Sequence, residues 1–434
     1  MRILLFVFLS YFQITATFSK TMNVKDVLEA AKNNNLSIRE AKEKINESNA
    51  QTGLAKSFLY PTVNWSLSGT RAKEALYTGS PKFDGDPYST YSSDLKLTQN
   101  LYVKGSLAGI SIIEQEKKIN LAKLHLIERD LEQKVIETFY RFILYQGSLE
   151  NLLKNHDILK KSLVTSNGRY QKGRGLLLDI LQIKTQIALQ IPQIEEAKNQ
   201  ITISGLELLK LMGSDSQSPL NINGKLKTLL LSEVKKILNF SNMYLPEYEV
   251  NQLQLNQLAY SKEMTLGKHY PLLRLVGDYF YNNYKKADLF ADESNSWAIQ
   301  LQLVIPLFSG LSSRDEYSIL QSQESQLRFA REDLERSLNL KQISSMKNLE
   351  SAETSLISYE LALKMALDAQ IEAGRMYKVS QIDLLQYLNV QQAVLQAKSS
   401  LDKLKYQSII AYSDYFVASG IPLKGLIDLL VENK

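Results

Sequence analysis

No cysteine occurs anywhere in the 434 residues. Disulfides, thiolate metal sites, cysteine nucleophiles and a lipidated N-terminal cysteine are thereby excluded. Proline and glycine are scarce, at nine and 19, and they gather where the chain must turn. Histidine occurs only at His125, His156 and His269, with no metal-ligand spacing among them. Charge of one sign is lacking too: a net +5 is mild and mixed, which does not make a nucleic-acid-binding surface. Past the first 20 residues there is no apolar run long enough for a spanning helix of about 20 residues. Any membrane insertion must therefore use strands.

Catalytic and nucleotide-binding signatures are missing as well. Gly168-Arg169-Tyr170-Gln171-Lys172-Gly173-Arg174-Gly175 lacks the Lys-Ser/Thr ending of a phosphate-binding loop and follows a helix rather than a strand. No local motif assembles a nucleophile–base pair. The chain reads as a non-enzyme without a cofactor.

What is present begins with an export signal. Arg2 supplies a positive start, Ile3 to Ile14 an apolar core and Thr15 to Lys20 a small, polar exit. Residues 1–20 are expected to be a signal peptide.

The rest of the chain is written twice. Tyr60-Pro61 returns as Tyr270-Pro271, Leu101-Tyr102 with Gly105 as Leu307-Phe308 with Gly310, and Tyr170 with Leu181 as Tyr377 with Leu388. Leu211-Met212-Gly213 returns as Ala418-Ser419-Gly420. The offset is close to 207 throughout, far longer than a solenoid repeat. The repeats are placed at 21–213 and 245–420, with a joining segment at 214–244 and a tail at 421–434. Each reads as helix, strand pair, very long helix, turn, helix.

The long helices are predicted at about 104–167 and 311–373, where no proline occurs. Each would be about 95 Å long if continuous, which implies a rod or tunnel rather than a globular core. Alternating steps of three and four from Leu121 to Leu163 give 13 positions, ten of them apolar, a seam suited to left-handed coiled-coil packing. His156 falls on that seam, where a hydrogen-bonded, packed role is expected. The second rod is richer in Ser, Gln and Asn, as in Gln321-Ser322-Gln323-Glu324-Ser325-Gln326. Such a flank faces either ordinary solvent or a wide aqueous space. The returning helices are predicted from about Leu177 and Asp383, with Pro192 inside the first.

Four segments alternate with period two: 62–70, 91–101, 272–284 and 297–305. Val63, Trp65 and Leu67 oppose Asn64, Ser66 and Ser68; Leu95, Leu97 and Leu101 oppose Asp94, Lys96, Thr98 and Asn100. One oily and one wet face over about ten residues suits a transmembrane barrel strand, and soluble hairpins are the alternative. Tyr60, Trp65, Tyr279 and Trp297 are the candidate membrane-rim aromatics. Four strands cannot close a barrel, and lipid tolerates no open sheet edge. Two chains give a filled eight-stranded barrel and three give 12 strands, so a homotrimer in lipid is the expected assembly.

The order of motifs resembles the TolC-like outer membrane efflux proteins. The likeness rests on the duplication, the Tyr-Pro strand entries, Leu245-Pro246-Glu247 opening the second half, the Gln-Asn-Leu-Tyr and Ile-Pro-Leu-Phe-Ser-Gly strand exits, and the paired tip motifs. It implies a mainly α chain with a small β part: a long antiparallel coiled-coil α-helical barrel and a trimeric 12-stranded transmembrane barrel. It further implies an exit duct of a tripartite efflux pump or type I secretion system, located in the outer membrane with its tunnel in the periplasm. The implied partners are a periplasmic adaptor and an inner-membrane transporter of RND, ABC or MFS type.

The resemblance also assigns residues. Tyr377 and Asp179 match a phenol–carboxylate lock at the periplasmic gate, and residues 214–244 match an equatorial collar. Gln386 and Asn389 stand where the family places aperture aspartates, and Ile382 stands where it places a linking arginine. Lys172, Gly173 and Arg174, with Val379, Ser380 and Gln381, match the adaptor-docking tips, Ser380 replacing the usual glycine. A structural coiled-coil rod or adhesin without a pore is the other reading.

Overall fold

The computed structural model describes residues 21–73, 87–214, 220–229 and 244–431. The expected signal peptide, most of the loop joining the first strand pair, parts of the joining segment and the last three residues lie outside them. The chain divides into two compact units. One holds residues 37–127 and 245–337; the other holds 1–36, 128–244 and 338–434.

The first of these carries the only sheet among the described residues. Helix α2 (Leu36–Ser57) leads into strand β1 (Thr62–Ala72), and helix α5 (Pro246–Gly267) leads into β3 (Leu272–Asn283). Both helices end before a Tyr-Pro pair, because proline drives the residue before it out of the helical region. The two exits wind alike: Tyr60 N–H donates to Ser57 O at 3.0 Å, and Tyr270 N–H to Gly267 O at 3.1 Å. Strands β2 (Tyr88–Val103) and β4 (Asn295–Val304) complete an antiparallel sheet in the order β1-β2-β3-β4.

The register aligns the apolar residues into rows. Trp65, Leu95, Tyr279 and Trp297 form one row, and Val63, Leu97, Gly277 and Ile299 the next. On the other face Lys96 pairs with Asp278 at 3.5 Å, and Ser68 Oγ lies 2.6 Å from Ser92 Oγ. Two corrections follow from the pairing. Leu101, expected on the oily face, is the extra residue of a bulge, so Tyr102 stands opposite Leu273. The wet face also holds Val276 and Phe280, opposite Thr98 and Asp94.

Directly after β2, helix α3 (Lys104–Gln171) begins against the end of α5. A Cβ on Gly267 would lie 3.0 Å from Gly105 Cα and N. The two helices therefore meet backbone to backbone, and a larger residue at Gly267 would have to push the Gly105 backbone away. Lys104 Nζ sits 3.7 Å from the centre of the Tyr270 ring beside this crossing.

The other unit is helical. It contains most of α3, then α4 (Leu177–Leu211), most of α6 (Ser312–Lys378), and α7 (Leu384–Ala418). Short helices α1 (Val24–Asn34) and α8 (Lys424–Val431) join it. Much of the predicted seam of α3 is buried here, including Leu131, Val135, Phe142, Leu152 and Leu159. His156 on that seam holds Nδ1 at 3.3 Å from Gln190 Oε1. Leu121, at the start of the seam in the other unit, is 40% exposed. A helical core of Phe139, Tyr140, Leu208, Tyr412 and Phe416 is almost fully buried. Of the joining segment, Asn221 to Asn223 pair with Met22, whose N–H donates to Asn221 O at 2.9 Å.

The duplication is visible in the backbone. Gly213 (φ 63°) and Gly420 (φ 68°) end α4 and α7 in the left-handed region. Ser214 N–H donates to Leu209 O at 3.0 Å, and Ile421 N–H to Phe416 O at 2.8 Å. Both are the helix-ending motif in which glycine carries the left-handed residue.

Candidate functional site: the two helix-to-helix turns

The turns between α3 and α4 and between α6 and α7 repeat one backbone pattern. In the first, Gly173 N–H donates to Tyr170 O at 2.9 Å and Arg174 N–H to Arg169 O at 2.9 Å. In the second, Ser380 N–H donates to Tyr377 O at 3.2 Å and Gln381 N–H to Met376 O at 2.9 Å. Gly173 has φ 69° and Ser380 φ 59°. Ser380 thus adopts the glycine conformation that its substitution put in question, at a cost of about 1 kcal/mol. Lys172, Gly173, Arg174, Val379, Ser380 and Gln381 are all exposed along these turns.

Their side chains differ. At the start of α7, Asp383 accepts from Gln386 N–H at 2.7 Å, and Gln386 Oε1 accepts from Asp383 N–H at 3.4 Å. Gln386, expected at the aperture, is therefore engaged in a capping box. The corresponding residues 207 positions earlier are Leu176 and Asp179, and Leu176 makes no side-chain cap. Asp179 is a half-buried acid in the first turn of α4, where the helix dipole favours it.

The expected Asp179–Tyr377 pairing does not form within the chain. The Tyr377 hydroxyl instead meets Ser166 Oγ at 3.0 Å in a buried contact. Its ring stacks on Tyr387, with centroids 4.8 Å apart and planes 8° from parallel. Tyr377 packs with Ile183 and Leu384 in a small core that Ile382 and Leu388 flank. Arg169 Nη2 donates to Tyr377 O at 2.8 Å and to Lys378 O at 3.1 Å. Its guanidinium also lies 4.7 Å from the Tyr377 ring centre.

Sequence reasoning missed Ser166, Arg169 and Tyr387. Ser166 was open to detection, since it continues the three–four seam of α3 beyond Leu163 as a polar residue among apolar ones. Arg169 carried no signal, because its acceptors are backbone carbonyls on a distant segment.

Asn389 is exposed and lines a groove of about 600 Å³ with Gln182, Gln186, Gln190, Gln391 and Leu385. No residue lining this groove is charged. Amide dipoles and leucines, not carboxylates, face its interior. In the sheet unit, Trp65 is 67% exposed, with Nε1–H donating to Ser93 Oγ at 3.0 Å, and Trp297 is 71% exposed. Tyr60 is exposed, and the Tyr279 hydroxyl lies 3.2 Å from that of Tyr281.

Residues 27–214 match the family model described as outer membrane efflux protein. Over that stretch, and in its duplicated fold, the chain is similar to outer membrane efflux proteins. Particular relatives agree. The alkaline protease secretion protein AprF of Pseudomonas aeruginosa is 21% identical over 397 residues, which cover 88% of this chain and 80% of AprF. The probable outer membrane lipoprotein SilC of Salmonella typhimurium is 20% identical over 417 residues, 92% of this chain and 85% of SilC. The crystal structure of CusC, a protein described by its transmembrane channel formation, has the same fold, with a TM-score of 0.78 at 16% identity over 94% of both chains.

Proposed function

We propose that three copies of this chain close their sheets into a 12-stranded outer-membrane barrel and their helices into a periplasmic tunnel. The assembly is a passive exit duct of a tripartite efflux pump or type I secretion system. Substrate arrives from an inner-membrane transporter through a periplasmic adaptor docked at residues 172–174 and 379–381. Tyr60, Trp65, Tyr279 and Trp297 hold the barrel at the membrane rims.

One observation carries this reading: the sheet is unfinished in a single chain. Every residue of β4 and all but the last of β1 are exposed, and both strands are edges. Open edges invite further pairing, and β4 of one copy runs antiparallel to β1 of the next. The helices support it too. Leu340, Ile343, Ile357, Leu361 and Ile371 of α6 are each more than half exposed, apolar surface that packing against a further copy would cover.

The turns form the periplasmic gate in this reading, with Asp179 and Tyr377 beside Gln386 and Asn389. Neutral amides at the last two positions predict a weakly selective aperture. The turns are basic: residues 169–179 carry net +2 and residues 375–386 net +1. Reversal potentials of the purified full-length protein in a planar bilayer under a salt gradient test both points. Ion-conducting steps without strong cation selectivity are expected, and Gln386→Asp with Asn389→Asp should shift selectivity toward cations. A complete lack of conductance would favour a pore-less envelope rod. Strong cation selectivity in the unmodified protein would refute the neutral aperture.

A further inference from the structure

The last four carbonyls of α6 have no intrahelical partner, yet all four are used. Arg375 O accepts from Val379 N–H at 3.3 Å, Met376 O from Gln381 N–H at 2.9 Å, and Tyr377 O from Ser380 N–H at 3.2 Å. The remaining capacity of Tyr377 O and the whole of Lys378 O go to Arg169, from the other turn. A guanidinium suits this place because its donors form a fixed fork, it stays charged, and it stacks on an aromatic face. The end of α6 also carries the negative pole of the helix dipole.

The duplicated half has no counterpart. The residue 207 positions after Arg169 is Met376, which has no donor to return. The link therefore runs one way, from the first turn to the second. Ser166, one helical turn before Arg169, adds its buried contact with the Tyr377 hydroxyl. Arginine and serine together grip the ring, the hydroxyl and the carbonyl of one tyrosine.

We propose that Arg169 is the positioning residue that fastens the first turn to the second within each chain, and that this clasp sets the resting aperture of the tip. It rests on the gate reading above and assigns to Arg169 and Ser166 the restraint that the resemblance gave to Asp179. The two turns of one chain then stay together at rest, and opening requires either breaking the clasp or moving both as one body.

The absence of cysteine makes the test direct. Spin labels on Lys172→Cys and Val379→Cys, both exposed positions, report the separation of the two turns in the full-length protein. The otherwise unmodified chain should give one narrow distance distribution. Arg169→Gln should broaden it at least twofold and raise resting conductance several-fold in a planar bilayer. Arg169→Lys, with one ammonium for two carbonyls, should restore part of both. Ser166→Ala should give a smaller broadening and keeps the test available if Arg169→Gln does not fold. Lys160→Gln removes the same charge from an exposed position of α3 outside the clasp and should change nothing. Narrow distributions in both Arg169→Gln and Ser166→Ala would overturn the clasp, as would equal broadening by Lys160→Gln. Broadening with unchanged conductance would keep the clasp but overturn the tip as the point that limits flow.

Discussion

The two helix-to-helix turns share a backbone and almost nothing else. Both end a long helix with the same pair of hydrogen bonds, 207 residues apart. The first uses glycine at the left-handed position, no side-chain cap on the next helix, and a tyrosine, Tyr170, that is 46% exposed. The second uses serine there, a capping box at Asp383 and Gln386, and a tyrosine, Tyr377, that is only 7% exposed. Duplication kept the geometry and released the side chains. One turn is specified by its glycine; the other tolerates a strained serine because the cap, the buried ring and Arg169 hold it. A cap contributes about 1 kcal/mol, comparable with the left-handed cost of a non-glycine residue of about 1–2 kcal/mol.

The largest difference between the turns should come from the paired tyrosines. Tyr377→Ala removes a buried ring and should destabilise the second turn by about 3 kcal/mol. Tyr170→Ala, at the equivalent exposed position, should cost less than about 1 kcal/mol. Hydrogen exchange at the first turns of α4 and α7 measures both; equal losses would break the comparison. Next comes the left-handed residue. Gly173→Ala should cost about 1 kcal/mol and Ser380→Gly should stabilise by up to the same amount. Thermal unfolding of the two variants should move in opposite directions. The smallest effects belong to the caps. Asp383→Ala should lose about 1 kcal/mol, while Leu176→Asn should add about 0.5 kcal/mol to α4. That substitution would copy the Asn23–Asp26 box of α1, because Asp179 already occupies the third position. A gain from Leu176→Asn would show that the first turn lacks only a cap.

Features that depend on spacing were legible in the sequence. The Tyr-Pro pairs, the glycines at 213 and 420 and the proline-free stretches placed the strands and long helices close to where they lie. The alternation of 62–70 with 91–101 gave the face of Trp65 and Leu95, which the register then set in one row with Tyr279 and Trp297. Leu101 was misplaced because a bulge adds a residue without altering the composition of a strand. The site was harder to read. Asp383 and Gln386 have capping-box spacing, yet the resemblance drew Gln386 toward the aperture. Asp179 was paired with Tyr377 by that same resemblance, whereas burial and the Ser166 hydroxyl decide where the phenol goes. The Arg169 contacts depend on how one hairpin packs on another, which no local pattern encodes.

In the proposed barrel, closing the edge strands β1 and β4 of each chain sets the subunit count. Native mass spectrometry of the full-length protein, released from lipid nanodiscs after insertion, measures it. The assembly should contain three copies of the chain, whose strands then number 12. A stably inserted monomer or dimer with a folded sheet would contradict the barrel and the duct built on it.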